Sequence, residues 1–367
     1  MSFNNVLKHF DNFNFEKYLN SVSDNDIINS LRKTKLDNYD LLNLLSDNAV
    51  KYLEPIARKA NRLTHQYFGR AILLYAPIYI SNYCQNVCLY CGFNSKNKIN
   101  RAMLNLHQIE EEAVKLKSTG IEHVLLLTGE DCKKSGFEYI RGAVQILKKH
   151  FHSVSIEIYP METDEYSILK ADGVDGLTIY QEVYDKEIYD KVHLGGKKKN
   201  YQYRLDTPER GAMAGLRTIN IGALFGLGNV ISEAFFTALH AKYLSDKYLN
   251  SEFSVSFPRI NTEGTDFSII NKVEDKKFIQ MIIAMRLFIP KIGITVSTRE
   301  SSRLRDKIIH LGATKLSAGS STTVGGYTHI NDSDKQFDIT DSRSVDEVSE
   351  MLKENNFQPI FKDWEQI

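Results

Sequence analysis

The chain has 367 residues, 42 % of them apolar, enough to bury a sizeable core as one large domain or two smaller ones. Lysine plus arginine and aspartate plus glutamate number 46 each, so no global field favours nucleic acid or an anionic membrane, and any anionic ligand must be held by local groups. The opening residues contain no uninterrupted apolar run, and nothing downstream approaches the ~18 apolar residues of a membrane span, so a soluble, cytoplasmic protein is expected.

Residues 1–71 read as a helical extension: IINSLRKTKL and LLNLLS carry apolar residues at helical spacing, and an amphipathic stretch runs from Asp47 to Tyr67. From residue 72 the texture changes to short apolar or β-branched runs separated by helical segments. The runs are ILLYAPIYI (72–80), HVLLLT (123–128), VSIEIY (154–159), GLTIYQ (176–181), TINIGAL (218–224), FSVSFP (253–258), GITVST (293–298) and TKLSAG (314–319). Helical connections precede most of them, and Gly120 is a plausible stop ahead of the second. Eight such units predict an α/β fold, a TIM-type (β/α)8 barrel over 72–330, close to the ~250 residues typical of that architecture. Residues 331–367 form a short C-terminal tail with one helical stretch, VDEVSEMLKEN, expected to pack on the barrel exterior.

Barrel chemistry sits at the C-terminal ends of strands, so the residues after each run matter most. The first run is followed by SNYCQNVCLYCGFN, which places Cys84, Cys88 and Cys91 on one loop. Four cysteines in all are too few for a disulfide scaffold, and this crowding points to a metal site in a reducing compartment. Three thiolates so spaced reach three irons of a cubane and leave the fourth open. Zinc in a closed site asks for four ligands, and the remaining cysteine, Cys132, lies in a separate loop.

The CxxxCxxC spacing after a first barrel strand, with Tyr90 before the last cysteine, resembles the signature of the radical S-adenosylmethionine superfamily. That resemblance implies a [4Fe-4S] cluster on Cys84, Cys88 and Cys91. Its open iron chelates S-adenosyl-L-methionine, which is cleaved after one-electron reduction to a 5′-deoxyadenosyl radical. Thr128, Gly129 and Glu130 then match the family motif that meets the methionine amino group. Glu182 and Arg204 have the spacing that related enzymes use for the cofactor's polar ends, although a surface ion pair would look the same. Leu224, with Phe225 and Leu227, can flank the adenine or simply end a core strand.

A narrower resemblance covers nearly the whole chain. CLYCGFN, LLLTGE, LTIYQEVYD, YRLDTPERGAMAGL, IGALFGL, SFPRI, STRESSRLRD and SAGSSTTVGGY are together similar to the tyrosine lyase of thiamin thiazole biosynthesis, the 2-iminoacetate synthase family. The resemblance implies radical cleavage of the Cα–Cβ bond of L-tyrosine to 2-iminoacetate and p-cresol. It further implies a reductant such as flavodoxin or ferredoxin, and a thiazole synthase that receives the labile imine. An amino-acid substrate brings a carboxylate into a dry site, and Arg299 and Ser317, after the seventh run and at the end of the eighth, are placed to grip it. Arg259 is a second candidate; any of these arginines can instead pair with Glu300, Asp306 or Glu252. Tyr90 can stack on cofactor or substrate, take part in proton and radical handling, or pack.

The hydrogenase-maturing tyrosine lyase shares these motifs but adds a C-terminal extension whose cysteines bind a second cluster, and no cysteine follows Cys132 here. A tryptophan lyase of similar fold also fits the motifs, and a non-catalytic iron–sulfur protein for electron transfer or sensing fits the cysteine loop alone. Lys197–Lys199 reads as a solvated loop, His193 and His123 lack ligand spacing, and Cys132 reads as an incidental thiol.

Overall fold

The computed structural model of the protein describes residues 2–260, 267–269, 271–328 and 332–364. The eight apolar runs form eight strands, β1 (Ala71–Ser81), β2 (His123–Thr128), β3 (Ser153–Glu157), β4 (Val174–Glu182), β5 (Thr218–Ala223), β6 (Glu252–Ser256), β7 (Gly293–Val296) and β8 (Lys315–Ser317). Each pairs in parallel with its neighbour in chain order, and β8 returns to β1, Leu73 opposite Lys315 and Tyr75 opposite Ser317. The barrel is therefore closed. A parallel sheet covered by helices is buried on both faces, so its strands carry no polar alternation, and β2 is buried from end to end.

One cavity of about 600 Å³ occupies the barrel at the N-terminal ends of the strands, against Leu73, Ser155, Thr178, Asn220, Ser254 and Thr295. Apart from Leu73 these are small polar side chains, which do not fill the interior as layers of Val, Ile and Leu would.

The N-terminal extension is five short helices, Phe3–Lys8, Phe15–Ser21, Asp24–Arg32, Asn38–Leu45 and Leu53–Phe68. Two begin with reciprocal caps, Ser23 with Asp26 and Asp37 with Asp40. The amphipathic stretch expected from Asp47 is divided: Asn48–Tyr52 is a 3-10 turn and the α-helix starts at Leu53. Pro55 accounts for the division, because a residue without an N–H is tolerated only in the first turn. The extension packs on the helices after β5 and β6, Val230–Lys247 and Asp275–Phe288. Phe3 stacks on His240 at 4.1 Å, and Gln280 donates to the carbonyls of Leu44 and Ser46 at 2.8 Å each.

The tail contains the expected helix, Val345–Glu354, and then an element the sequence reading did not anticipate. Gln358–Ile360 forms a ninth strand, β9, which pairs in parallel with Ala71–Leu73 at the start of β1. A three-residue segment centred on Pro359 carries no strand signal, and such a segment fits only an edge.

Candidate active site

The C-terminal mouth of the barrel is built on the loop after β1. Val87 and Cys88 pair antiparallel with Gly195 and His193, which ties the cysteine loop to the segment after β4. Arg101 gathers the rest, donating to the carbonyls of Asn82, Phe93 and Asn94 at 2.5, 2.9 and 2.7 Å. The Gln85 N–H bonds the Glu130 carbonyl at 3.1 Å and the Gly129 N–H bonds the Ser81 carbonyl at 2.8 Å, so this loop and the turn after β2 are in backbone contact. A Cβ on Gly129 would lie 2.3 Å from the Tyr83 carbonyl oxygen, and only glycine permits this approach. Gly129→Ala is therefore expected to displace the cysteine loop, at a cost of roughly 1–3 kcal/mol. Iron and sulfide per chain after reconstitution should fall in step.

All three cysteines line one cavity of about 150 Å³, together with Thr128, Gly129, Glu130, Glu157, Glu182, Lys198, Arg204, Leu224, Arg299 and Ser317. Cys84, Cys88 and Cys91 are unbonded to one another, and burial raises each thiol above its ordinary value, Cys84 to about 11. Such thiols are stable as thiolates only against a strong local positive charge. Among the described residues, no three His, Cys, Asp or Glu side chains converge as ligands for a single ion. A cubane makes no such demand, since it spreads three thiolates over three irons, and the donor set fits it. Cys132 stands apart, receiving a hydrogen bond from Lys197 at 3.5 Å.

Beside the cysteines lies a buried cluster of four charges. Arg204 donates to Glu130 at 3.0 Å and to the Tyr180 carbonyl at 2.6 Å, and sits 3.6 Å from Glu182. Glu130 also accepts from Asn86 at 2.7 Å, and Glu182 from Lys198 at 2.6 Å. Burial pushes both carboxyls upward, but for Glu130 Arg204 and then Lys198, and for Glu182 Lys198 and then Arg204, outweigh it and hold each below the usual range. Glu182 has a φ of 72° at a bulge between β4 and β5, and its carbonyl accepts from the Leu224 N–H at 2.7 Å, which brings Leu224 to the wall. Lys198 is one residue that sequence reasoning missed: it is the inward member of a run taken for a solvated loop. Among the described residues, the buried Thr128 hydroxyl has no hydrogen-bond partner.

Tyr90 donates its hydroxyl to His193 Nε2 at 2.8 Å, while His193 Nδ1–H donates to the Tyr189 carbonyl at 2.9 Å. Burial, with Lys198 and Arg204 nearby, drives the His193 pKa down to about 2, so the imidazole is a neutral acceptor. Across the cavity, Arg299 lies 3.3 Å over the Phe337 ring, and no described residue gives its guanidinium a carboxylate or carbonyl partner. Ser317 receives the Thr298 N–H at 3.0 Å and keeps its hydroxyl on the wall. Arg259 is elsewhere engaged. It holds Glu300 in a fork with Nε 3.0 Å from one oxygen, meets Asp275 at 2.9 Å, and does not line the cavity. This is the structural pairing that the sequence left open, and it takes Arg259 out of the substrate-facing set.

A closed barrel with three thiols and a cluster of charges at its mouth fits a radical S-adenosylmethionine enzyme. The model of the radical SAM superfamily matches residues 78–233, and that of the biotin and thiamin synthesis associated domain matches residues 255–358. The chain is 38 % identical over 348 residues to 2-iminoacetate synthases of Salmonella typhimurium and of Escherichia coli, spanning 95 % of this chain and 92 % of each relative. It superposes with a TM-score of 0.90 on the FeFe-hydrogenase maturase HydG of Carboxydothermus hydrogenoformans, at 30 % identity over 99 % of this chain and 86 % of that one. The chain belongs to the 2-iminoacetate synthase family. Its cofactors are the [4Fe-4S] cluster and S-adenosylmethionine.

Proposed function

We propose that this chain cleaves the Cα–Cβ bond of L-tyrosine, releasing 2-iminoacetate and p-cresol, with S-adenosylmethionine converted to methionine and 5′-deoxyadenosine. Membership of the 2-iminoacetate synthase family supports the reaction, and one observation supports its location in this chain: Arg299, which has no carboxylate or carbonyl partner among the described residues, shares a cavity with the three thiols. When bound, the cluster and S-adenosylmethionine supply a one-electron reductive cleavage whose radical takes a hydrogen atom from the substrate. Cys84, Cys88 and Cys91 would hold that cluster. Thr128, Gly129, Glu130, Glu182, Lys198, Arg204 and Leu224 form the cradle for the methionine, ribose and adenine. Arg299 and Ser317 receive the substrate carboxylate, and Phe337 keeps water from the guanidinium, which strengthens the charge-assisted bonds. Tyr90, oriented by neutral His193, presents its hydroxyl at the cysteine loop.

A labile imine calls for direct transfer, so a thiazole synthase is the proposed partner and a flavodoxin or ferredoxin the proposed electron source. No described helix is long and apolar enough to cross a membrane, and four unpaired cysteines fit a reducing cytoplasm.

The test is anaerobic reconstitution with iron and sulfide, followed by S-adenosylmethionine, L-tyrosine and a strong reductant. Both 5′-deoxyadenosine and p-cresol are expected, and Cys88→Ala should abolish both. 5′-Deoxyadenosine without p-cresol would move the substrate to another amino acid, tryptophan first. Neither product from a cluster-loaded chain would end the catalytic reading.

A further inference from the structure

Three glutamates line the barrel mouth, and two of them have partners. Glu130 and Glu182 are held by Asn86, Lys198 and Arg204. Glu157, the last residue of β3, lines the same cavity, yet no described residue gives its carboxylate a hydrogen bond or an ion pair. The charged groups that act on it are Glu182, Arg299, Lys198 and Arg204, and the phenols of Tyr75, Tyr79 and Tyr180 face it. A partly buried carboxylate that lacks a partner is costly, and so is a partly buried guanidinium. Glu157 and Arg299 carry opposite signs, sit on one cavity, and are not bonded to each other. An α-amino acid, anionic at one end and cationic at the other, satisfies both.

We infer that Glu157 receives the α-amino group of the substrate, opposite the Arg299 end that takes the carboxylate, and accepts a proton from its ammonium. The step moves one proton and no electrons: the ammonium becomes a neutral amine, and the carboxylate becomes a carboxylic acid that still hydrogen-bonds the nitrogen. The substrate nitrogen is then uncharged. Burial raises the Glu157 carboxyl to about 7, with Glu182 adding to the rise and Arg299, Lys198 and Arg204 opposing it. Near neutral pH both protonation states are accessible. Below that value the carboxyl is protonated and the ion pair with an incoming ammonium is lost, so L-tyrosine affinity should fall as pH falls through about 7.

The inference rests on the amino-acid substrate proposed above, and titration calorimetry separates the two. Cluster-loaded, S-adenosylmethionine-bound protein without reductant is titrated with L-tyrosine and with 3-(4-hydroxyphenyl)propanoate, which keeps the ring and carboxylate but lacks the amine. Glu157→Gln, matched for iron content, is expected to weaken L-tyrosine by about 10- to 150-fold while leaving the desamino acid unchanged, and to flatten the pH dependence. Glu157→Asp should recover part of the lost affinity. Unchanged L-tyrosine binding in Glu157→Gln, or equal loss of both ligands, overturns the inference while leaving the substrate standing. Failure of the parent protein to bind L-tyrosine overturns the substrate, and the inference with it.

Discussion

Replacement of Arg299 by leucine is expected to raise the KM for L-tyrosine by about 30- to 1,000-fold, equivalent to ~2–4 kcal/mol, and to raise the melting temperature of the free protein. Both effects come from one fact. The guanidinium lies partly buried against Phe337 with no anionic partner among the described residues, so desolvation pulls its pKa down and the charged form is a cost to folding. Leucine removes that cost together with the carboxylate's anchor. Opposite movement of stability and substrate affinity marks a residue kept for a ligand. Steady-state kinetics and thermal melts decide the matter: a variant with a lower melting temperature and an unchanged KM would make Arg299 a packing residue. Affinity for S-adenosylmethionine should stay near that of the parent, since the cradle proposed for it is built on Glu130, Glu182 and Arg204, to none of which Arg299 is bonded.

Lys198→Met addresses the opposite case, a charge whose partner is inside the protein. Removing one member of a buried pair costs about 3–5 kcal/mol in general; here Arg204, 3.6 Å from Glu182, remains to compensate part, and ~2–3 kcal/mol is expected. S-Adenosylmethionine binding should weaken by about tenfold or more, because Glu182 loses its 2.6 Å partner and turns toward Arg204. The pH dependence has a definite sign. A depressed carboxyl contributes stability above its ordinary value of 4.5 and loses it as pH falls through the folded-state value. The gap in melting temperature between parent and variant should therefore be widest near neutrality and close below pH 4.5. A gap that does not change with pH would mean that Lys198 contributes through packing alone.

The barrel was legible because its strands are buried on both faces, and runs such as HVLLLT admit little else. The cysteine loop was legible because its chemistry is local: three thiols on one turn announce a cluster wherever the chain goes. Lys198 was not, because its neighbours Lys197 and Lys199 are ordinary surface lysines and Glu182 lies on another element. Glu157 was hidden in the same way, within VSIEIY, where a glutamate between isoleucines looks like the outward member of an alternation. Arg299 and Arg259 looked alike, each following a strand; only the partner distinguishes them, and Glu300 is one residue from Arg299 yet bonds Arg259. Strand β9 escaped notice because pairing through backbone groups leaves no mark on three side chains.

That ninth strand also sets an order of events for a chain leaving the ribosome. Ala71–Leu73 emerge long before Gln358–Ile360, with which they pair, and Leu73–Tyr75 long before Lys315–Ser317, the strand that closes the barrel. Until then β1 presents unpaired backbone groups along its first residues, on the strand that leads directly into the cysteine loop. Long-range closure of this kind slows folding and leaves the nascent chain open to wrong pairing. The loop that carries the three thiols therefore hangs from a strand whose first residues are sealed only when segments far along the chain have joined it.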